Sequence, residues 1–285
     1  MLYYLYVIGI LLAKLMPLNV CYNFAKWVSG IYCRFAGEDK KELRENFKVV
    51  LGESTSEDIL DKNIRRVFIN FAKYLADFFK IPRITKDFIA QKVTIYGREY
   101  LDEGLREGKG VVLVSLHLGN WEMGGAVISM SGYPVKAIAL EHSNKRINNF
   151  FKNRRFINGI QAIPVGSQIK ECFKVLKNNE VLAIVGDKDY TSNGIPVDFF
   201  GKKAIMPKGP AVFALRTGAP IVCSVLFRED GDNFILSFEK PIKYKKTGDY
   251  NNDLLAVMGQ YLKVFEKFIK EKPDQWYAFR RIWKQ

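Results

Sequence analysis

Five short apolar runs constrain the architecture of this chain more than any other feature: VVLVSL (111–116), VKAIAL (135–140), QAIPV (161–165), VLAIVG (181–186) and PIVCSVLF (220–227). Continuous runs of this kind, without polar alternation, suit strands buried on both faces. Polar stretches with helical spacing lie between or after them, at 143–158, 168–178, 207–217 and 249–270, and FILSFEKPI (234–242) reads as a further strand. The alternation predicts an α/β sheet flanked by helices. In such sheets ligands gather beyond the carboxyl ends of the strands. That rule selects the residues directly after the runs: His117, the pair Glu141 and His142, and the cluster Asp187, Lys188 and Asp189.

His117 opens the stretch His-Leu-Gly-Asn-Trp-Glu, which ends at Glu122. Five residues of unbroken helix amount to about 500° of rotation, which would leave the two side chains roughly 140° apart. A His117/Glu122 dyad therefore requires a break in the helix. Gly119 supplies the loop conformation and Asn120 an N-cap, so His117 is expected on the strand-to-helix turn and Glu122 in the first helical turn. With its carboxylate turned back onto one imidazole nitrogen, Glu122 would fix the tautomer and stabilise the imidazolium formed when the other nitrogen takes a proton. The chain offers no good nucleophile of its own: no GxSxG elbow is present, and Cys172 and Cys223 fall in an expected helix and strand. The attacking hydroxyl is then expected on the substrate, and transfer is direct. Backbone N–H groups at the start of the new helix, with an arginine, are the natural donors to a tetrahedral oxyanion. His142 also follows a strand, but no acid stands at a similar forward spacing.

The N-terminus adds a second constraint. Residues 2–13 (LYYLYVIGILLA) are almost wholly apolar, Lys14 intervenes, and Pro17 blocks continuation of a helix. A helix of about 15 residues spans about 22 Å, short of the ~30 Å hydrocarbon layer. The basic n-region and cleavage site of a secretory signal are missing. LNVCYNFAKWVSGIYCRF continues the apolar theme, with Lys26 and Arg34 placed to meet headgroups. Residues 1–35 are thus expected to form an interfacial membrane anchor of one or two helices, and 36–285 a single α/β domain. Residues 38–86 carry helical spacing with one apolar face, as in IRRVFINFAKYLADFFKI, and read as a membrane-proximal ledge.

Lys and Arg outnumber Asp and Glu by 44 to 30, a formal charge of +14, which calls for an acidic partner. No zinc finger, RNP motif or basic recognition helix occurs, so nucleic acid is a weaker choice than an anionic membrane surface or an acidic carrier with a phosphorylated substrate. The four cysteines lie far apart without a CxxC pair, and the two histidines lack a closely spaced third ligand, so neither a disulfide scaffold nor a metal site is expected.

HLGNWE, together with RRFING (154–159), VGDKDYTSNGIPVDFFGKKA (185–204), PKGPAVFALRTGAPIV (207–222) and DQWYAFRRIWK (274–284), resembles the bacterial lipid A biosynthesis acyltransferases. The hallmark of that family is a histidine and an acid with four residues between them, and the blocks occur here in family order over nearly the whole chain. The resemblance implies a mixed sheet like that of glycerol-phosphate acyltransferases, attachment to the cytoplasmic face of the inner membrane, and no cofactor. It also implies acyl carrier protein as donor and a hydroxyl of a phosphorylated glucosamine lipid as acceptor. By the same route His117 and Glu122 carry the catalytic pair, while Asn120, Arg155, Asp187 and Asp189 fall among the substrate-binding residues; a turn role for Asp189 fits its surroundings equally well. GDKDY stands where a glutamine often separates the two aspartates, which puts the acceptor in question more than the chemistry. Two other readings remain: an acyl-CoA-dependent enzyme acting on another glycolipid, such as a phosphatidylinositol mannoside, and a basic membrane-tethering or lipid-binding protein without catalysis.

Overall fold

The computed structural model describes residues 2–80, 85–166 and 168–283. Residues 81–84 of the expected ledge, the first residue of the expected anchor and the last two of the tail lie outside that description. Four helices come first: α1 (Leu2–Leu15), α2 (Leu18–Phe35), α3 (Gly37–Leu51) and α4 (Glu57–Lys80). Pro17 separates α1 from α2 as its missing N–H demands. α4 buries one stripe, including Leu60, Ile64, Val67, Phe68 and Phe78. Tyr22 of α2 donates to Asp77 of α4 at 2.5 Å, and Lys80 Nζ donates to the Met16 carbonyl at 2.9 Å, so the N-terminal helices pack on α4. No described helix is long and apolar enough to cross a membrane.

The remaining elements are α5 (Lys86–Lys92), β1 (Val93–Tyr96), α6 (Arg98–Arg106), β2 (Val111–Ser115), α7 (Trp121–Met130), β3 (Val135–Ala139), α8 (Lys145–Ile157) and β4 (Gln161–Pro164). After them come α9 (Ile169–Lys177), β5 (Val181–Val185), β6 (Ile195–Phe199), β7 (Lys202–Met206), α10 (Gly209–Thr217), β8 (Ile221–Arg228), β9 (Phe234–Phe238) and α11 (Tyr250–Glu271). Seven strands form one mixed sheet in the order β1-β9-β8-β2-β5-β3-β4. β8 and β9 pair antiparallel, and the other neighbours are parallel. The carboxyl ends of β8, β2, β5, β3 and β4 therefore share one edge.

All six strands expected from apolar runs are present, as are the four helices expected between or after them. Strand β1 and the β6–β7 hairpin were not foreseen. The hairpin buries only alternate residues, Val197 and Phe199 against Ala204 and Met206, so its signal is a period of two in a polar context and not a continuous run. Its two turn residues, Phe200 and Gly201, both have positive φ, at 53° and 73°, the geometry that matches strand twist in a tight hairpin.

Alternate strand residues feed two cores. Val112 and Val114 pack with α9, α10 and α11 on one face, and Val111 and Leu113 pack with α7 on the other. The chain after α11 returns across the site and is fastened to α3. Asn46, fully buried, donates to the carbonyls of Ala278 and Arg280, both at 2.9 Å, and accepts from the Ile282 N–H at 3.1 Å. Asn46→Ala would strand these backbone groups, and a loss of about 2 kcal/mol is expected. Urea unfolding should show a lower midpoint, and limited proteolysis faster cleavage of the C-terminal segment, than in the parent protein.

Candidate active site

Strand pairing builds the centre of the site. β2 and β5 are neighbours with Ser115 opposite Val185, and two residues further on in each chain stand His117 and Asp187. The Asp187 carboxylate accepts from the His117 backbone N–H at 3.1 Å and meets the imidazole Nδ1 at 2.6 Å through one oxygen. Its other oxygen accepts from Trp276 Nε1 at 3.1 Å. Burial alone would raise this carboxyl. The His117 charge and hydrogen bond, Lys188 and the Trp276 donor outweigh it and hold the group at about 2. An ionised carboxylate only accepts, so Nδ1 carries a proton and Nε2 is left as the basic nitrogen on the cavity side.

The turn after β2 is clamped from both sides. Gly119 has φ +64°, and a Cβ there would lie 2.0 Å from the Leu226 carbonyl oxygen, so only glycine fits. The Gly119 N–H donates to the Gln275 carbonyl at 2.9 Å, that of Asn120 to Leu226 at 2.8 Å, and that of Tyr277 to His117 at 2.9 Å. Asn120 caps α7 by accepting from the Met123 N–H at 3.0 Å. Its amide donates to Asp77 at 2.9 Å. Asp77 also accepts from Tyr22 and pairs with Arg228.

Glu122 occupies the first turn of α7, as expected, but its carboxylate does not hold the imidazole. It is taken by Arg155 of α8, whose Nε lies 3.2 and 3.0 Å from its two oxygens and whose Nη2 lies 2.5 Å from one of them. The expected His117/Glu122 dyad is thus replaced by two pairs, His117/Asp187 and Glu122/Arg155. The reason is strand order: Asp187 is carried to the imidazole by the strand beside β2, whereas the second residue of α7 faces α8. Arg155 sits on neither a solvated face nor a free helix end. The Glu122 charge and hydrogen bonds oppose its desolvation and raise its pKa.

Placement also bears on three expected substrate contacts. Asn120 is spent on the cap and Asp77, and buried Asp187 on His117 and Trp276; neither lines the cavity. Asp189 does line it, but its oxygens accept from the Thr191 N–H at 2.9 Å and the Gly194 N–H at 2.7 Å. That is the turn role. His142 lies at the cavity with its ring 4.7 Å from that of Phe151, and burial followed by the Arg155 charge lowers its pKa. Lys188 lines the cavity, and its Nζ donates to the Tyr277 carbonyl at 2.8 Å.

Asp77, Arg228 and Trp276 were not singled out from the sequence. Asp77 was findable: it stands three residues after Tyr74 and beside Phe78 on the buried stripe of α4, where an unpaired acid would be costly. Beside these groups a cavity of about 1210 Å³ follows the shared carboxyl edge of the sheet, walled mainly by apolar side chains, with His117, Trp121, Glu122 and Arg155 on its rim. Among the described residues no group of three or more His, Cys, Asp or Glu is placed to hold a metal ion.

Residues 1–285 match the model of a family described as Bacterial lipid A biosynthesis acyltransferase. Over 287 residues the chain is 26% identical to the phosphatidylinositol mannoside acyltransferase of Mycolicibacterium smegmatis, covering 98% of this chain and 90% of that one. The phosphatidylinositol mannoside acyltransferase of Mycobacterium tuberculosis is 25% identical over 285 residues, or 98% of this chain and 87% of its own.

Because the folded carboxyl of Asp187 titrates at about 2, below its ordinary value of 3.8, the stability it contributes is fully present above pH ~4 and lost as pH falls toward ~2. Comparing the parent protein with Asp187→Asn, the difference in unfolding free energy should shrink by on the order of 2 kcal/mol across that window. A difference that stays flat from pH 5 to pH 2 would show that Asp187 is not the ionised partner.

Proposed function

Because the chain belongs to the bacterial lipid A biosynthesis acyltransferase family and is an enzyme that transfers acyl groups, we propose that it moves a fatty acyl chain from a thioester directly onto a hydroxyl of a phosphorylated glycolipid, with His117 as general base. The observation that carries this reading is the engagement of Nδ1 with ionised Asp187, which leaves Nε2 on the cavity side. Nε2 takes the hydroxyl proton as the oxygen attacks the thioester carbonyl, and the imidazolium formed is stabilised by Asp187. When the tetrahedral intermediate collapses, the C–S bond breaks and the thiolate recovers that proton. The oxyanion is served by the N–H groups of Trp121 and Glu122, the first-turn donors of α7 that the Asn120 cap does not take. Arg155, steadied by Glu122, supplies positive charge on the same rim. Glu122 then acts through Arg155 and not through the imidazole.

Acyl carrier protein is the proposed donor, with acyl-CoA as the alternative, and the acceptor is a lipid A precursor or a phosphatidylinositol mannoside. The names of the relatives favour the mannoside, and the family description favours lipid A. Acids outnumber bases among the described buried charged residues, so the excess of +14 lies on the exterior, as an acidic carrier or an anionic membrane surface would require. Attachment to the cytoplasmic face of a membrane is proposed through α1 and α2, whose Leu15, Phe24 and Trp27 are exposed by 82%, 47% and 63%.

Purified full-length protein should be assayed with each donor against each acceptor. His117→Ala is expected to lose at least ~100-fold in turnover while still co-sedimenting with anionic vesicles, and Glu122→Gln to lose less. Turnover unchanged in His117→Ala would support a tethering or lipid-binding protein that uses no base here. Transfer to the mannoside alone would exclude the lipid A precursor.

A further inference from the structure

The two sides of α2 differ in a way that anchoring alone does not require. Phe24 and Trp27 look outward, whereas Tyr22 and Ser29 on the opposite side are 4% and 5% exposed. Tyr22 packs with Ala76 of α4 in a small apolar cluster. A phenol buried in such surroundings is costly unless its hydroxyl is bonded, and the bond it makes is to Asp77, whose side chain has no exposed surface. Burial, and then the Asp77 charge, raise the Tyr22 pKa, so the hydroxyl keeps the proton that it donates.

The two oxygens of Asp77 are used differently. Oδ1 accepts from Tyr22 at 2.5 Å, while Oδ2 accepts from the Asn120 amide at 2.9 Å and pairs with Arg228. The oxygen of that same amide caps α7 through the Met123 N–H at 3.0 Å, and between the cap and Met123 stand the oxyanion donors, the N–H groups of Trp121 and Glu122. Arg228 is itself fixed. The Gln275 side chain accepts from its N–H at 2.9 Å and donates to its carbonyl at 2.7 Å. Its Nη1 donates to Asp232 at 2.9 Å, and Asp232 accepts from Lys73 of α4 at 2.7 Å. With no donor on Oδ1, the carboxylate is free to turn and offer both oxygens to this guanidinium, the bidentate geometry that such pairs favour. Asn120 would then lose its partner. The Tyr22 hydroxyl opposes that turn.

We propose that Tyr22 is a positioning residue for acyl transfer: through Asp77 and Asn120 it holds the N–H donors at the start of α7 in place, so that the catalytic turn is set only while α2 is docked on α4. The inference rests on the acyl-transfer reading and adds to it a second duty for the helix assigned to the membrane. A helix that only anchored would affect transfer through access to a bilayer. A helix that positions the oxyanion donors acts where charge develops on the thioester oxygen, so losing its contact lowers kcat and leaves KM unchanged.

The test uses the full chain with the donor and acceptor that give the fastest transfer by the parent, presented in detergent micelles with no bilayer. Tyr22→Phe removes only the hydroxyl and keeps the ring, whose centre lies 4.6 Å from the Arg228 guanidinium. Asn120→Ser keeps a capping oxygen and removes the amide that reaches Asp77. Each variant is assayed below its melting midpoint, measured by circular dichroism. In Tyr22→Phe, kcat is expected to fall about tenfold, the rate equivalent of one hydrogen bond, with KM for both substrates unchanged. The double variant is expected to lose no more than the worse single variant, because both changes cut one path. An unchanged kcat in Tyr22→Phe, or losses that multiply in the double variant, overturns the relay. Failure of the parent protein to transfer from any donor overturns the acyl-transfer reading itself, so the two failures are distinguishable.

Discussion

The carboxylate of Asp187 is the point on which the site depends, because it fixes at once the backbone and the ring of His117 and the indole of Trp276. These three groups come from distant parts of the chain: the end of β2, the turn after β5 and the segment after α11. An ionised carboxylate with no exposed surface persists only where donors surround it, and here every donor belongs to the catalytic turn or to the segment that covers it. Forming the site and folding the sheet edge are therefore one event. If β5 were not the neighbour of β2, no other residue would replace this pairing.

That dependence explains what was legible in the sequence and what was not. Apolar runs specify strands because burial on two faces demands them, and the strand-to-helix turn was readable because Gly119 and Asn120 each have one strong local preference. The partner of His117 was not readable in the same way. Proximity along the chain pointed to Glu122, five residues away, whereas the actual partner is seventy residues away and is brought there by strand order, which no local pattern encodes. Asp187 is itself a strand-end residue, so the rule that ligands collect at the carboxyl edge holds more information than the spacing of the motif. The β6–β7 hairpin was hidden for a related reason: half of its residues face solvent, and its apolar content is too dilute to stand out as a run.

With the two pairs separated, the histidine and glutamate of the motif take different tasks on one short turn. The histidine looks toward β5 and handles the proton. The glutamate looks toward α8 and holds a guanidinium in the cavity rim, which as a free side chain would spread over many rotamers at an entropic cost. A turn that must present one group to each side needs the abrupt reversal that Gly119 provides, and the 2.0 Å approach to Leu226 that a Cβ would suffer shows how little room the reversal leaves.

The buried charges also bear on how a proton moves here. Asp77 is answered by Arg228 and Glu122 by Arg155, so these positions are balanced before any substrate arrives. Asp187 is answered by the imidazole of His117, with Lys188, whose own pKa burial lowers, contributing less. When Nε2 takes a proton, the new positive charge appears beside an anion that was already held in place, so little has to reorganise. A site arranged in this way meets the new charge with a carboxylate already fixed, which is what is required around a base that must accept a proton from a weakly acidic alcohol and return it to a departing thiolate.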